Sequence, residues 1–578
     1  MPTTIPSQVL RNARRIPNQP ALLTRGEERW DALTWAEYGS AVTKVGKALI
    51  AAGVGVGDRV AILGYNRPEW VIFDVAAMAI GAVPTGIYFT SSAEECAYII
   101  EHSGSTVVLV EGPSQWRTID GVRNGLTGLR TIVTMDPVDT GGDPDTVDWD
   151  GFLARGASIG DDEFEARLAR IRPQDPATII YTATGAGPVM GAVLTHDNLV
   201  FTGRSSVDTF GVTPGDSAVS YLPLSHVAEQ IFTILAPAHV GYPVYFAQSI
   251  RRLRTNLREV EPSIFFGVPR LWVGFEVGIR KELGKLEGRE ARIAAWATNV
   301  GRRMVAFRNR GEAPGALLAA QYHLADRLFF QRIKGSLGLR RARIVFSGAA
   351  PVAPSTLEFF GSVDLAVRSV YGMSEATGPT TADQPGATRY GTVGRPMQGI
   401  EVRTSDDGEV LVGGPSVFSG YLQAPEATAE TLEDGWLHSG DLGSIDGDGF
   451  LTITGRKKDI IITNGGKNVA PSPIEAALMD TPVIERAVLV GEGRDHISAL
   501  LSLDEEGLEG FTGTERDDAV RAAVDTANAP FSRVEQVRRY RMLSRPLRAD
   551  LGELTEDGGV DREVVEDHFF DEIEAIYR

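Results

Sequence analysis

Residues 177–198 read ATIIYTATGAGPVMGAVLTHDN, an apolar strand, a Thr/Gly loop and then a helix. That order is the architecture of a phosphate cradle, in which a glycine-bearing turn and a helix N-terminus present backbone N–H groups to an anion. The loop itself, Thr182, Ala183, Thr184, Gly185, Ala186 and Gly187, carries no cation. Met190 stands where such a loop would hold a lysine, and Pro188 removes a backbone donor. The shape suits a polyphosphate; the charge does not. Other chemistries leave weaker traces. The histidines show no metal-ligand spacing, no metal site is assigned, and no G-x-S-x-G nucleophile elbow occurs. The lone cysteine, Cys96, follows a Ser92/Glu95 capping box in SSAEECAYII and is expected to be a buried structural thiol.

The elements that must position the loop are legible as alternating helix and strand patterns through the first 370 residues. Periodicity predicts helices over 33–52 and 69–80 and strands over 59–63 and 106–111. A further helix over 316–334 places Leu318, Tyr322, Ala325 and Phe329 on one face. A strand over 343–346 ends in Ser347-Gly348-Ala349-Ala350-Pro351. Such alternation argues for parallel sheets covered by helices. From about residue 391 short strands punctuated by Asp407-Gly408 and the Asp-Gly repeat at 446–449 predict hairpins and a small barrel or antiparallel sheet. Beyond Lys458 helices and strands mix again in a piece the size of a small domain.

A chain of 578 residues is too long for one core. Its formal net charge of −19 argues against a nucleic-acid binder or a protein of anionic membranes, both of which need a basic footprint. One cysteine excludes an intrachain disulfide and fits a reducing compartment. The first residues lack a signal-peptide core, and the longest apolar run, 75–84, is short of a membrane span. A soluble cytoplasmic protein, not an integral membrane one, is expected.

Five segments converge in order: YTATGAGPVMGAVLTH (181–196), YLPLSHVAEQ (221–230), VYGMSEATG (370–378), GWLHSGDLG (435–443) and GRKKDIIITNGGKNVAPSPIE (455–475). Together they resemble the adenylate-forming superfamily of acyl-CoA synthetases, adenylation domains and luciferases. YNRPEW (65–70), GAVPTGIYFTSS (81–92) and FGVPRLW (266–272) are similar to bacterial long-chain acyl-CoA synthetases. The resemblance implies an α/β fold. A large N-terminal domain, 1–457, would hold two helix-covered β-sheets plus a small β-barrel, and a small mobile α+β lid would span 458–578. It also implies a two-step reaction: a carboxylate and ATP give acyl-adenylate and pyrophosphate, then the lid rotates and the thiol of coenzyme A attacks the acyl carbon.

By that resemblance Tyr371 stacks on or flanks adenine, in the same motif as Gly372, and Gly348, Ala349 and Ala350 line the same pocket. Asp441 accepts both ribose hydroxyls, a bidentate task for a carboxylate, and Arg456 adds a charged donor near ribose and phosphate. Ser374 replaces the family's usual threonine and keeps the hydroxyl; Glu375 matches its metal-ligating acid. Lys458 falls at the hinge. Gly465 and Gly466 fall on the loop that reaches the site after rotation, where missing side chains leave room for a pantetheine arm. His226 sits where a gating aromatic or histidine separates acyl, phosphate and thiol channels. The implied ligands are coenzyme A, AMP as acyl-adenylate, and a bulky apolar acyl group, either fatty or polycyclic. Its walls would come from 225–227 and 265–267. Arg251, Arg252 and Arg254, or Arg302 and Arg303, are candidates for the phosphates of CoA.

The departures fall on the first half-reaction. The family loop reads roughly [Y/F]-T-S-G-T-T-G-x-P-K-G; Ala183, Thr184, Gly185, Ala186 and Met190 replace its Ser, Gly, two Thr and Lys. Late in the chain, ELTEDGGVDR (553–562) aligns Gly559 with a lysine that bridges carboxylate and α-phosphate, and adds Glu556, Asp557 and Asp561. The same losses count against a role for Mg2+. The selective pattern favours a thiolation-only enzyme fed by a separate adenylating partner. A complete ATP-dependent ligase with a tolerant loop is the alternative. The third reading, a non-catalytic adenylate- or acyl-binding protein, has the intact Asp441, Arg456, Lys458 and glycine pair against it.

Overall fold

In the computed structural model, which describes residues 3–182, 189–505, 507–555 and 559–578, two large sheets organise most of the chain. The first has seven strands, in the order Thr146–Asp148, Thr131–Thr134, Ser105–Val110, Arg59–Leu63, Val83–Ile87, Pro176–Thr182 and Met190–Thr195. All its neighbours are parallel except the last pair. Its inner strands read as unbroken apolar runs because both their faces are covered: Val107 to Val110 are essentially inaccessible. The second sheet has nine strands, and its parallel centre runs from Pro20–Arg25 through Val244–Phe246, Ala218–Ser220, Ile264–Gly267 and Ile344–Ser347 to Val367–Met373. Antiparallel strands close both edges. One apolar cluster joins the two sheets through the helices Trp35–Ala51 and Pro68–Ala79, with Val42, Leu49, Trp70 and Phe73 in its middle.

Local chemistry sets several boundaries. Thr34 with Glu37, and Ser92 with Glu95, form reciprocal capping boxes that start their helices. Leu33 therefore lies within the strand Trp30–Thr34 instead of opening the helix predicted over 33–52. Cys96 is buried, and burial pushes its thiol up to about 12, so it is inert at neutral pH. The helix predicted over 316–334 contains a π-turn, Asp326–Phe330, between Ala316–Ala325 and Gln331–Leu337. Leu318, Ala325 and Phe329 are buried along its inner face, and Tyr322 packs on the same cluster.

One expectation is corrected. The segment after the phosphate loop is a strand, not a helix: Met190–Thr195 pairs antiparallel with Pro176–Thr182, Met190 opposite Thr182. The helix starts only at His196, where Thr195 and Asn198 form the capping box. On its other side the strand bonds a distant segment, with Val193 N–H on Gly420 O at 3.0 Å and Leu422 N–H on Gly191 O at 2.8 Å. Long-range pairing, invisible to local periodicity, decides the conformation here. Among the described residues that flank the loop, no helix starts before His196.

The small barrel or antiparallel sheet is a five-stranded antiparallel element. Glu401–Thr404, Glu409–Gly413 and Trp436–Ile445 pair in turn, with Leu432–Glu433 and Leu451–Arg456 on different parts of the long strand. The Asp-Gly pairs lie in its hairpin turns, with Gly408 and Gly449 at φ of 86° and 83°, which only glycine adopts freely. The C-terminal region builds its own core around a three-stranded sheet, Ile484–Val490, Ser498–Leu503 and Arg539–Met542, and the helices Pro471–Met479 and Thr514–Asn528. The chain is thus a large N-terminal assembly of sheets with a separate α+β C-terminal domain. Among the described residues no helix is long and apolar enough to cross a membrane.

Candidate active site

Strand ends of the nine-stranded sheet and a hairpin of the smaller one meet at Tyr371, Asp441 and Arg456. Tyr371 sits near the end of the Val367–Met373 strand and donates its hydroxyl to Asp441 Oδ2 at 2.7 Å. Asp441, on the Trp436–Ile445 strand, lies opposite Arg456 in the ladder, whose Nε is 3.2 Å from Oδ1. Both carboxylate oxygens are therefore aimed before any ligand arrives. The carboxylate is 6 % exposed, and burial raises its pKa despite Arg456 and the tyrosine bond. Burial also lifts the Tyr371 phenol well above its usual value, with the Asp441 charge adding to it, so the tyrosine stays a donor.

Beneath this cluster Glu409 fixes the bend of the strand. Its carboxylate accepts Gly440 N–H at 2.9 Å and contacts His438 Nδ1 and Lys457 Nζ, each at 3.1 Å. Burial raises its pKa, but these three partners outweigh that and hold it low. Sequence reasoning missed Glu409; its only local sign is a charged residue entering the strand after Asp407-Gly408.

The Val370–Gly378 motif turns sharply. Gly372 has no space for a side chain, since a Cβ would meet Gly378 O at 1.9 Å. Ser374 opens a 3₁₀ turn, and Glu375 within it is buried, accepting the Tyr421 hydroxyl at 2.7 Å. Burial raises the Glu375 carboxyl; it also feels the charges of Arg456 and Asp441, so the three share one field. Tyr421 was not anticipated either. It reaches Glu375 because its own segment pairs with the strand that Met190 opens. Met190 is half-buried and packs on the central core, and Thr182 faces it across the hairpin. Ala183, Thr184, Gly185, Ala186, Gly187 and Pro188 lie outside the described residues, as do Glu556 and Asp557.

Gly348 lies where a Cβ would meet Val370 O at 3.0 Å and the Phe266 ring at 3.1 Å, so this glycine keeps two strand ends close. Ala349 has φ of 69°, a left-handed conformation uncommon outside glycine and often found at ligand clamps. Ala350 is half-buried beside it. Below, Phe266 and Phe346 each stand 5.8 Å from Phe232, forming an aromatic floor. Phe265 and Phe266 are buried, and Gly267 accepts the Trp272 indole N–H at 3.0 Å. His226 caps the short helix Val227–Gln230, its Nδ1 accepting Ala228 N–H at 3.1 Å, next to buried Ser225.

The remaining predicted residues are not gathered here. Lys457 Nζ is tied to Glu409 and, at 2.7 Å, to Asp407, while Lys458 beside it is exposed. Gly465 and Gly466 form an exposed hairpin turn where a Cβ would meet nothing within 4 Å. Gly559 closes a loop of its own, its carbonyl accepting Thr555 N–H at 2.9 Å. Arg251 and Arg252 begin a helix elsewhere, and Arg254 lies over the Phe275 ring at 5.1 Å. Among the described residues no group of three or more His, Cys, Asp or Glu could hold a metal.

The AMP-binding enzyme family matches residues 9–422, and the AMP-binding enzyme C-terminal domain family matches residues 458–578. A long-chain-fatty-acid–CoA ligase of Mycobacterium tuberculosis, FadD15, is 36% identical over 566 residues, covering 95% of this chain and 92% of that protein. The human long-chain-fatty-acid–CoA ligase ACSBG2 is 35% identical over 87% of this chain and 77% of its own length. The same fold occurs in the ATP-bound MatB of Rhodopseudomonas palustris, with a TM-score of 0.73 at 22% identity and the full length of both chains covered. It occurs again in the anthranilate CoA ligase AuaEII with anthranoyl-AMP, at a TM-score of 0.72 and 18% identity over 98% of this chain and 97% of that one.

Proposed function

Because the chain belongs to the AMP-binding, adenylate-forming enzymes, close to the long-chain acyl-CoA ligases, we propose that it transfers the acyl group of a preformed acyl-adenylate to coenzyme A and releases AMP. The observation that carries this reading is the contrast between the assembled Tyr371–Asp441–Arg456 cluster and a sequence over 182–190 without Lys or Arg. Asp441 would accept the ribose hydroxyls, Tyr371 would hold that carboxylate and flank the base, and Arg456 would meet the α-phosphate. Gly348, Ala349 and Ala350 would form the adenine wall. These contacts serve acyl-adenylate as well as ATP. Making the adenylate also requires neutralising a triphosphate, and the two positions for that task carry Met190 and Gly559.

The remaining step needs little more. The thiol gives up its proton to solvent and its sulfur attacks the acyl carbonyl carbon; a C–S bond forms, and the C–O bond to phosphate breaks with its electron pair leaving on AMP. AMP departs as a stable phosphate anion that needs no proton, so catalysis rests on position and on stabilising developing charge. Lys457, tied to the N-terminal side by Asp407 and Glu409, gives a fixed anchor immediately before Lys458, where rotation would begin. Rotation would carry Gly465 and Gly466 to the thiol channel, with His226 at its junction. Glu375 would keep its metal-facing position only where a phosphate supplied the other ligands; no step here depends on a metal. The aromatic floor and His226 region suit a bulky apolar acyl chain, with long-chain fatty acids first. A single buried cysteine fits a cytoplasmic setting, and a separate adenylating enzyme would supply the substrate.

The test is head to head: free acid plus ATP against purified acyl-adenylate, CoA present in both, with acyl-CoA and pyrophosphate measured. Acyl-CoA from adenylate alone is the expected outcome. Equal rates from both would replace this reading with a complete AMP-forming ligase, which the 36% identity to a long-chain ligase over 95% of the chain favours.

A further inference from the structure

The YLPLSHVAEQ motif carries one acid that the reaction does not use. Glu229 follows His226 by three residues, in the short helix Val227–Gln230, and is 3% exposed. A carboxylate is seldom buried this far unless partners hold it. Here the partners are uncharged donors. Oε2 accepts Leu222 N–H at 3.2 Å, and Oε1 accepts the Thr233 hydroxyl at 2.6 Å. Burial pushes the carboxyl up to about 7, against the pull of these two donors, the Ser220 hydroxyl and Tyr221 N–H. The group thus sits at the ends of strands from both large sheets. Ser220 closes the strand Ala218–Ser220, and Asn66 stands just past Arg59–Leu63 of the other sheet. Asn66 Nδ2 donates to Ser220 Oγ at 2.8 Å and to Leu222 O at 2.6 Å, so the Ser220 proton is left to point at Glu229.

The turn from Leu222 to His226 is gripped from several sides. Gln230 Nε2 donates to Leu224 O at 3.0 Å, and His226 N–H to Pro223 O at 2.9 Å. Ser225 rests on Gly86, where a Cβ would meet its Cα at 2.7 Å. Ligands of open α/β sheets sit at the carboxyl ends of the strands, and this turn brings His226 to that edge. On its other side Glu229 holds a π-turn. Thr233 belongs to Ile231–Leu235, a type of turn frequent at functional sites. Beside it, Phe232 stands 5.8 Å from both Phe266 and Phe346, and its carbonyl accepts the buried Tyr242 hydroxyl at 2.7 Å. One carboxylate therefore spans the turn that carries His226 and the turn that carries the aromatic floor. An apolar side chain of the same size would leave buried donors without an acceptor, which is costly.

We propose, on the reading that acyl-adenylate meets CoA beside His226, that Glu229 is a positioning residue that sets His226 against the acyl floor. The full chain is assayed with palmitoyl-adenylate and CoA, and NMR of isotope-labelled histidine follows its eight rings, His226 being assigned by its loss in H226A. E229M should lower kcat roughly 10²-fold, the cost of a small misplacement, and leave KM for the adenylate within about twofold. E229Q should stay within about threefold of the unchanged protein. Its amide oxygen still accepts the N–H groups, and the Thr233 hydroxyl can turn to accept from the amide nitrogen. T233V, a milder break, should cost about fivefold. In the H226A background E229M should add under about twofold, since a residue acting through His226 then has nothing left to position. The His226 resonance should move in E229M and T233V and return in E229Q. If E229M fails to fold, T233V carries the same comparisons. Full additivity of E229M with H226A, an equal loss in E229Q, or an unmoved His226 resonance in folded E229M would overturn the proposal. No turnover by the unchanged protein would overturn the thiolation reading instead, and the resonance alone would then decide whether Glu229 positions His226.

Discussion

At the proposed ribose end of the site, three side chains from three strands hold one another at 2.7 and 3.2 Å around one buried carboxylate. At the proposed phosphate end, Thr182 and Met190 face each other across a hairpin with a hydroxyl and a thioether, and neither carries a charge. The two ends share a sheet framework and differ in charge. Holding a neutral ribose needs directed hydrogen bonds, which on the proposed reading a pre-aimed Asp441 would supply. Holding a triphosphate needs cations, because each uncompensated anion brought out of water is costly. An enzyme can lose the second capacity and keep the first, since separate residues provide them.

The contrast should break most visibly when the cations are put back. M190K/G559K should raise fatty-acid-dependent ATP–pyrophosphate exchange by about 10²–10⁴, taking roughly 1.5–3 kcal/mol for each charge-assisted bond. If exchange stays at background while acyl-adenylate is still converted to acyl-CoA, the missing charges are not what limits the first step.

The converse change attacks the assembled end. D441N keeps the shape but loses the negative acceptor, and kcat/KM with acyl-adenylate should fall about 100-fold. A change under twofold would mean that the ribose is held elsewhere.

How much of this contrast the sequence displayed depends on the range of the forces involved. The strand Arg59–Leu63 and the Ser92/Glu95 box are local, and both were readable to the residue. The motif around Asp441 was readable because its turn residues and acid sit within nine positions. The Met190 strand was not. Its apolar residues fit a helix or a strand, and the choice is made by Gly420 and Leu422, more than two hundred residues away. The Thr195/Asn198 box was the one local clue that the helix begins later. Tyr421 and Glu409 were illegible for the same reason, since their partners Glu375 and Gly440 become neighbours only after the sheets assemble.

The loop that ends at Gly559 shows that framework and function separate. Glu553, fully buried, accepts two bonds from Arg545 at 2.7 and 2.5 Å, one from Arg548 N–H at 2.7 Å, and lies 2.9 Å from His568 Nδ1. The Arg545 bonds, reinforced by His568, hold its carboxyl down to about 2. A depressed folded pKa contributes stability above the ordinary carboxylate range, about 4.5, and that stability is lost as pH falls toward 2. E553Q should therefore destabilise the C-terminal domain by about 2–3 kcal/mol at pH 7 and flatten its acid-unfolding profile, read by denaturant titration at several pH values. An unchanged midpoint would show that the loop is held without this carboxylate.

The smallest expected effect tests whether Tyr371 matters through Asp441. Burial raises the Asp441 carboxyl, and the tyrosine hydroxyl opposes that rise. Binding ribose requires the ionised carboxylate, so kcat/KM with acyl-adenylate should fall on the acid side at a pH above the ordinary carboxylate range. Y371F removes the donor that stabilises the ionised form, and the acid limb should move to higher pH. Losing one hydrogen bond of about 1 kcal/mol should cost roughly fivefold at neutral pH. A fivefold loss with an unmoved acid limb would assign Tyr371 to the base alone. An acid limb that moves while KM for CoA stays constant would tie it to the carboxylate, and so to the ribose end.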